Sequence, residues 1–275
     1  MSLRRGNTIG LIYKKDGHIA KLGLNRPNER NALDPDTLLE LHKAWKDVND
    51  DSNIRVALLY SALPDIFCSG MDLKTAIPVL TLTRKPETEA EKWLVSDMKG
   101  VGEAMLRINF VKKPIIAAIH GYCLTGGFEM VMGTDIRVAS DDAVFQMREA
   151  SLGIMPMMGA NVFLPRLISP CRAMEILLTA DNFSAKTLYE WGFLNRVVPR
   201  EELMKTALGL AEKIAGNGPL AVQGIIKCAR ETRNIETSEA LNKEIEIGAP
   251  IFSSEDAREG IRALKEKRKP DYKGK

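Results

Sequence analysis

The chain has 275 residues, of which 45% are hydrophobic and 27% charged, a composition typical of a globular protein with a sizeable core. Its 39 basic and 36 acidic residues nearly balance, which argues against a surface built to bind nucleic acid. No apolar run is long enough to cross a bilayer, and no apolar segment follows the basic residues near the start. We therefore expect neither export nor membrane insertion.

The cysteines and histidines give no sign of a metal centre. Cys68, Cys123, Cys171 and Cys228 are far apart, and none belongs to a paired ligand spacing. The three histidines are equally scattered, and His120 is interpreted as a hydrogen-bonded structural residue. We expect a reduced, cytoplasmic protein with no bound metal.

The first half of the chain predicts alternating strands and helices. Strands at residues 9–13 and 18–24 flank an Asp-Gly turn, which favours a hairpin. Asp34 and Pro35 predict the N-cap and first residue of a helix. A buried strand at residues 54–60 then runs into a glycine-containing turn within residues 67–74.

The middle of the chain contains a second strand and glycine turn. Residues 73–86 hold two prolines and are predicted to be irregular, whereas residues 87–110 predict one long helix. Residues 115–119 form a β-branched, apolar run that predicts a buried strand. Glycines at residues 121, 126 and 127 follow, and an apolar helix follows them.

The remaining pattern is mostly helical. Short strands are predicted at residues 135–139, 144–145 and 195–198, and the sequence after residue 160 is otherwise helical. The predicted helices are 184–191, 201–215, 220–232, 237–247 and 254–267. The chain should therefore have an α/β core over residues 1–200 and a helical oligomerisation region over residues 201–275.

The turn at Gly126 is a candidate site on chemical grounds. Backbone N–H groups at a helix N-terminus are free to bind an anion, and Glu129 lies one turn further on, where the helix dipole should hold it as a carboxylate. The residues alone leave a second interpretation equally open, in which the glycines only allow close packing. A further N–H at Met71, in the other glycine turn, would make a two-donor oxyanion hole.

Motifs along nearly the whole chain resemble those of the enoyl-CoA hydratase/isomerase (crotonase) family. The first are Asn25-Arg-Pro27, Asn31-Ala-Leu33 and the segment at residues 67–74. The others are His120-Gly-Tyr-Cys-Leu-Thr-Gly-Gly-Phe-Glu129, residues 145–153 with Pro156, residues 252–260 and residues 266–268. Their order and spacing make a chance match a poor explanation.

This resemblance implies a crotonase-like spiral of ββα units, with a C-terminal helical region that forms trimers or dimers of trimers. It implies an acyl-CoA substrate of the kind used in fatty acid metabolism, with coenzyme A carried by the substrate and no other cofactor. Met71 and Gly126 occupy the two oxyanion positions of the family. Glu129 and Glu149 match its hydratase pair, in which Glu129 would deprotonate water and Glu149 would protonate Cα.

The resemblance also implies residues that hold coenzyme A. Arg30 and Lys74 match basic positions of the family, and Lys267, on the last helix, would reach in from a neighbouring subunit. Gly248 stands where some members have an aromatic contact.

Several positions depart from the family pattern. This chain has Pro156-Met-Met-Gly-Ala-Asn161 instead of a Pro-Gly-x-Gly-Gly-Thr turn, so Met157 replaces the glycine that helps to hold water. Its Thr125 replaces the first residue of a common triple glycine. The methionines at residues 147, 155, 157 and 158 are interpreted as core filling, with lining of the acyl pocket as the alternative.

The residues and the resemblance are consistent with three functions. The presence of both glutamates favours an enoyl-CoA hydratase, since family isomerases keep the Glu149 position and lack the other. The alternative within the family is an isomerase, or a dehydratase of a specialised hydroxyacyl-CoA, which Met157 favours. From another class, the chain could be a catalytically silent RNA- or protein-binding member, and Glu149 could be a surface carboxylate paired with Arg148.

Overall fold

The computed structural model describes residues 10–108 and 110–275, and two sheets form its frame. Within these residues the larger sheet contains β1 (Gly10–Asp16), β2 (Ile19–Asn25), β3 (Val56–Ser61), β5 (Ile115–Ile119), β7 (Ile136–Ser140) and β10 (Arg196–Val198). The smaller sheet contains β4 (Ile66–Cys68), β6 (Tyr122–Leu124), β8 (Val144–Gln146) and β9 (Phe183–Ser184). In each sheet, spatial order follows chain order.

Helices cover these sheets and form most of the second half of the chain. Those before residue 150 are α1 (Pro35–Asp50), α2 (Ala76–Leu80), α3 (Glu89–Ser96), α4 (Met98–Ala104) and α5 (Gly126–Met132). Those after it are α6 (Ala160–Leu167), α7 (Pro170–Thr179), α8 (Ala185–Glu190), α9 (Leu203–Ala215), α10 (Pro219–Glu231), α11 (Thr237–Phe252) and α12 (Glu255–Lys265). No helix in the described part of the chain is both long and apolar enough to span a membrane.

The two sheets arise from one repeated unit. Strands β3, β5 and β7 lie side by side and parallel in the larger sheet, and each continues into a strand of the smaller one, β4, β6 and β8. In the smaller sheet Cys68 is paired with Cys123, and Cys123 with Phe145. This is a spiral of strand–strand–helix units, as predicted.

Local sequence signals at the start of the chain are confirmed. Strands β1 and β2 form an antiparallel hairpin in which Asp16 pairs with Ile19 and Gly17 has a φ of +54°. The side chain of Asp34 accepts a hydrogen bond from the N–H of Thr37 at 2.8 Å, which caps α1. Ile9, predicted to begin the first strand, lies outside the described residues.

The single helix predicted over residues 87–110 is wrong. Asp97 ends α3 and caps α4, because its backbone leaves the helical region at φ −123° and ψ 68°. Its side chain accepts hydrogen bonds from the N–H of Gly100 at 2.9 Å and from the indole N–H of Trp93 at 3.1 Å. An aspartate that bonds the local backbone offers an alternative to the helix ladder, and the chain turns there.

Other boundaries also differ from the predictions. The segment at residues 73–86 contains the short helix α2, in which Pro78 occupies the first turn, where its missing N–H is not needed. The glycine segment after residue 121 contains β6 before α5 begins. Helix α11 continues to Phe252 instead of ending at residue 247, and includes Pro250. Among the strands of two or three residues, β8 and β10 confirm the strands predicted at residues 144–145 and 195–198, whereas β6 and β9 were not predicted.

Both faces of the larger sheet are covered. One face packs on the main core, where the rings of Phe128, Phe145 and Phe193 meet with centroids 5.2 to 6.2 Å apart. The other face packs on α9, whose Ala207 and Ala211 lie in a second buried cluster with strand residues. Helix α9 therefore covers the sheet, and the division into residues 1–200 and 201–275 stays a prediction.

Candidate active site

The two glycine turns identified in the sequence meet in the structure. They follow β4 and β6, which are parallel neighbours, so both turns leave the same edge of the smaller sheet. A Cβ added to Gly126 would lie 3.4 Å from the amide nitrogen of Met71, and one added to Gly70 would lie 3.3 Å from the amide nitrogen of Gly126. The structure thus brings the two predicted oxyanion positions into contact.

The backbone on either side of Met71 determines where its N–H points. The carbonyl of Gly70 accepts a hydrogen bond from the N–H of Leu33 at 2.7 Å, and the N–H of Asp72 donates to the carbonyl of Leu33 at 3.0 Å. Because these bonds alternate along the chain, the N–H of Met71 is directed away from Leu33. Gly126 begins α5, so its N–H is one of those with no partner inside the helix.

A buried ionic network supports the Met71 turn, and sequence reasoning did not assign this role to its members. The guanidinium of Arg26 contacts Asp72 at 2.9 Å and Asp34 at 3.0 Å. Asn31, with a φ of +55°, accepts a hydrogen bond from the N–H of Arg26 at 2.8 Å and donates to the carbonyl of Phe67 at 2.9 Å. The available signal was their presence in the Asn-Arg-Pro and Asn-Ala-Leu motifs.

The charge on Asp72 is stabilised although its carboxyl is buried. Burial raises its pKa, but hydrogen bonds from Arg26 and from the amides of Lys74 and Thr75 outweigh this effect and lower it. Asp72 thereby ties the chain after Met71 to the Arg26 guanidinium.

Glu129 lies in a buried position at the first turn of α5, with 3% of its surface exposed. Its Oε1 accepts hydrogen bonds from the N–H groups of Met158 at 2.8 Å and Ala160 at 3.1 Å. Burial raises the pKa of Glu129 to about 7, and the nearby charge of Glu149 adds to the rise, although the two amides and Arg107 oppose it. The helix dipole was expected to hold Glu129 as a carboxylate, but desolvation is the larger effect, so carboxylate and carboxylic acid are both populated near neutral pH.

Glu149 is also buried, with 8% of its surface exposed, at the start of a 3-10 helix (Glu149–Leu152). Burial raises its pKa, and its Oε2 has no hydrogen-bond partner in the described part of the chain. Arg148 is exposed, and the ion pairs among the described residues include none between it and Glu149. A surface carboxylate paired with Arg148 is therefore not what the structure shows.

The four methionines of residues 147–158 differ in their exposure to solvent. Met147 and Met158 are buried in the core, as interpreted from the sequence. Met155 and Met157 are exposed, Met157 by 67%, so core filling is wrong for these two. The amide that bonds Glu129 belongs to Met158, whose side chain lies in the core.

A pocket of about 620 Å³ opens beside the Met71 turn. Three basic residues line it, Arg30, Lys74 and Arg148, against the acidic residues Glu29 and Asp72. Asp72 is already paired with Arg26, so positive charge is in excess and the pocket is basic. The guanidinium of Arg30 lies 5.9 Å from the ring centroid of Tyr122. Both predicted coenzyme A residues of the first half of the chain thus border one pocket.

The remaining predicted residues lie elsewhere. Lys267 is exposed and follows the end of α12, with a φ of +54°, so it does not lie on the helix as predicted and does not line this pocket. His120 is buried and its Nε2 lies 2.7 Å from the carbonyl of Leu63, while burial lowers its pKa. It is a structural histidine. The described residues contain no group of side chains suited to hold a metal ion.

Comparison with known proteins identifies the class. The family model described as enoyl-CoA hydratase/isomerase matches residues 14–275. The chain belongs to the enoyl-CoA hydratase/isomerase family.

Several curated relatives resemble the chain over nearly its whole length. It is 38% identical over 264 residues to the enoyl-CoA hydratase EchA19 of Mycobacterium tuberculosis, covering 96% of each chain. It is 36% identical over 264 residues to the carnitinyl-CoA dehydratase of Proteus mirabilis, covering 94% of this chain and 96% of that protein. It is 33% identical over 263 residues to the crotonyl-CoA hydratase of Syntrophomonas wolfei, covering 95% of this chain and 97% of that protein.

Solved structures agree on the fold. The enoyl-CoA hydratase of Bacillus anthracis superposes with a TM-score of 0.86 at 33% identity, covering 97% of this chain and 100% of that one. An enoyl-CoA hydratase of M. tuberculosis superposes with a TM-score of 0.86 at 30% identity, covering 98% of this chain and 100% of that one. The chain has the crotonase fold.

Proposed function

We propose that this chain is an enoyl-CoA hydratase, a hydro-lyase that adds water reversibly across the 2,3 double bond of an acyl-CoA. The observation that carries the proposal is the meeting of the Met71 and Gly126 turns beside buried Glu129 and Glu149. The relatives named as hydratases support the same reaction.

In this proposal the thioester oxygen binds between the N–H groups of Met71 and Gly126. Negative charge grows on that oxygen as water attacks Cβ and an enolate forms. Donors that point at the developing charge stabilise the transition state more than the ground state, and loss of one costs about 3 kcal/mol.

The two glutamates supply the proton transfers. Both amide bonds to Glu129 use Oε1, so Oε2 can take a proton from the attacking water. Glu149, whose pKa is raised by burial, gives a proton to Cα. The hydroxyl ends on Cβ, a proton ends on Cα, and exchange between the carboxyl groups and solvent restores the starting state.

These four groups account for every proton and charge in the reaction, so the proposal includes no metal or redox cofactor. Coenzyme A enters as part of the substrate, with Arg30 and Lys74 as the groups that contact it in the basic pocket. Met157, which is exposed and precedes the Met158 amide that bonds Glu129, is proposed to contact the acyl group.

The test is loss of the enoyl-thioester absorbance with crotonyl-CoA and longer analogues. Glu129→Gln and Glu149→Gln should each lower kcat by about a hundredfold to ten-thousandfold, because each removes one proton transfer. Turnover of no enoyl-CoA by the folded wild-type protein would refute the proposal.

A second candidate reaction is dehydration of a specialised hydroxyacyl-CoA, or isomerisation. It is favoured by the carnitinyl-CoA dehydratase relatives and by Met157 at the position of a family glycine. An isomerase needs one acid/base group, so Glu129→Gln would leave isomerisation nearly unchanged while it abolishes hydration or dehydration. A catalytically silent binding protein would retain RNA or a partner protein and turn over no acyl-CoA.

We also propose a cytoplasmic homotrimer or dimer of trimers, with no nucleic acid or membrane partner. Support comes from apolar side chains left exposed on the C-terminal helices, namely Ile225, Leu241, Ile245, Phe252 and Leu264. All four cysteines are free thiols, which suits a reducing compartment. In this assembly Lys267 would reach the coenzyme A of a neighbour. Light scattering of the purified protein tests the assembly, and a monomer would contradict it.

A further inference from the structure

Thr125 occupies an unusual backbone position at the centre of the candidate site. It precedes Gly126 and α5, with φ +47° and ψ −121°, a conformation that glycine adopts readily and a β-branched residue rarely does. Strain of this kind persists only where the surrounding structure holds it, and it concentrates at functional sites. A threonine at this position should therefore make a contact that glycine cannot make.

The main chain of Thr125 connects the strands and helix that carry the two glutamates. Its N–H donates to the carbonyl of Gln146 at 2.8 Å, three residues before Glu149. Its carbonyl accepts a hydrogen bond from the N–H of Glu129 at 2.9 Å. A glycine could make both of these bonds.

Its hydroxyl adds a bond that glycine could not make. Oγ1 donates to the carbonyl of Ser69 at 3.3 Å, in the turn that carries Met71. The hydroxyl also fills the space over Gly70, where an added Cβ would lie 1.7 Å from Oγ1. Gly70 itself has a φ of +102°. The side chain of Thr125 therefore links the Met71 turn to the residue that precedes the Gly126 amide.

We propose that Thr125 is a positioning residue whose hydroxyl fixes the separation between the Met71 and Gly126 amides. This rests on the proposed function, in which both amides bind the thioester oxygen. A two-donor site works only if both donors reach one atom, and small displacements weaken it. We call the hydrogen bond from the Thr125 hydroxyl to the carbonyl of Ser69 the clamp. Its loss should reduce the polarisation of the thioester carbonyl and lower kcat, with little effect on the contacts that bind coenzyme A.

The experiment compares Thr125→Val with Thr125→Ser in the full chain. Valine keeps the shape and branching but cannot donate to Ser69, whereas serine keeps the hydroxyl. Two readouts are used: the kinetics of crotonyl-CoA hydration, and the absorption shift of bound 4-dimethylaminocinnamoyl-CoA, which moves to longer wavelength as its carbonyl is polarised. The second readout needs no turnover.

Thr125→Val should lower kcat by about tenfold, the size expected for one lost hydrogen bond, with KM changed by less than about twofold and a smaller absorption shift. Thr125→Ser should retain kcat within about twofold and show the full shift. If Thr125→Val equals wild type in both readouts, the proposed role of the Thr125 hydroxyl is overturned, while the proposed hydratase function is unaffected. Equal losses in both variants, with matching losses of thermal stability, would overturn the proposed role of the hydroxyl by showing a structural role.

The proposed function fails in a different way. If wild type polarises the probe but hydrates no enoyl-CoA, the hydratase proposal falls and the valine and serine shifts still decide the role of Thr125. If wild type does not polarise the probe, the oxyanion site falls and the clamp falls with it.

Discussion

Oε1 of Glu129 accepts a hydrogen bond from the N–H of Met158 at 2.8 Å. This bond joins the proposed general base to the segment in which the chain departs most from its family. Burial, against the opposing effect of this bond, raises the pKa of Glu129 to about 7, where small changes in pH change its charge.

The pH dependence of hydration follows from that value. We expect kcat to rise as pH increases through about 7, because Glu129 must be ionised to accept a proton from water. Burial also raises the pKa of Glu149, in the direction that favours the proton it must donate. Because the two carboxyls interact, the observed transition belongs to the pair rather than to Glu129 alone.

Initial rates with crotonyl-CoA, measured from about pH 5 to about pH 9, check this prediction. Glu129→Gln serves as the control, because its residual rate should lack the rise through neutrality. A wild-type rate that does not change over this range would contradict the assignment of Glu129 as base.

The same shift predicts a pH-dependent stability. The pKa of Glu129 is raised from 4.5 to about 7 on folding, so the folded protein binds more protons than the unfolded chain between these values. The contribution of Glu129 to the free energy of unfolding is therefore fully present below the unfolded pKa and is lost as pH rises through about 7. The loss from Glu129 should be about 3 kcal/mol.

Urea unfolding at several pH values measures this effect. Glu129→Gln cannot ionise, so the variant should gain stability relative to wild type as pH rises. Glu149→Gln should reduce the Glu129 contribution only in part, because burial is its largest cause and the charge of Glu149 a smaller one. Parallel pH profiles for wild type and Glu129→Gln would show that the carboxyl does not resist ionisation.

The Arg26–Asp72 pair should matter to both stability and activity. Asp72→Asn would leave the buried Arg26 guanidinium with one acidic partner fewer, and we expect a loss of about 2 kcal/mol in unfolding free energy. Because Asp72 follows Met71, kcat should fall as well. Denaturant unfolding and crotonyl-CoA kinetics measure the two effects.

The matched control is Asp16→Asn. Asp16 contacts Lys21 at 2.7 Å in the exposed hairpin, far from the site. It should change neither stability nor kcat measurably, since exposed ion pairs contribute little. Equal effects from Asp16→Asn and Asp72→Asn would contradict a special role for the buried pair.

The basic pocket predicts a salt-sensitive KM. Arg30→Ala and Lys74→Ala should each raise KM for crotonyl-CoA by about fivefold to tenfold at low salt, with kcat little changed, because exposed charges attract the phosphates of coenzyme A. The difference should shrink as salt is added. Lys186→Ala, which removes an exposed lysine outside this pocket, is the control.

Much of the fold and site could be predicted because the signals are local or carried by motifs. The Asp16-Gly17 turn and the Asp34 cap need only neighbouring residues to act. The helix break at Asp97 and the three-residue strand β6 could not be predicted in this way. Asp97 competes with a strongly helical pattern, and β6 owes its conformation to pairing with β4 and β8.

The sequence by itself predicted which residues would carry the proposed chemistry: Met71, Gly126, Glu129 and Glu149, each in a motif of recognisable spacing. Only the tertiary structure decided whether they lie together. Parallel pairing of β4 with β6 brings two turns more than 50 residues apart into contact. Burial raises the pKa of Glu129 against the helix dipole, because desolvation depends on the atoms packed around a carboxyl and not on its place in the chain.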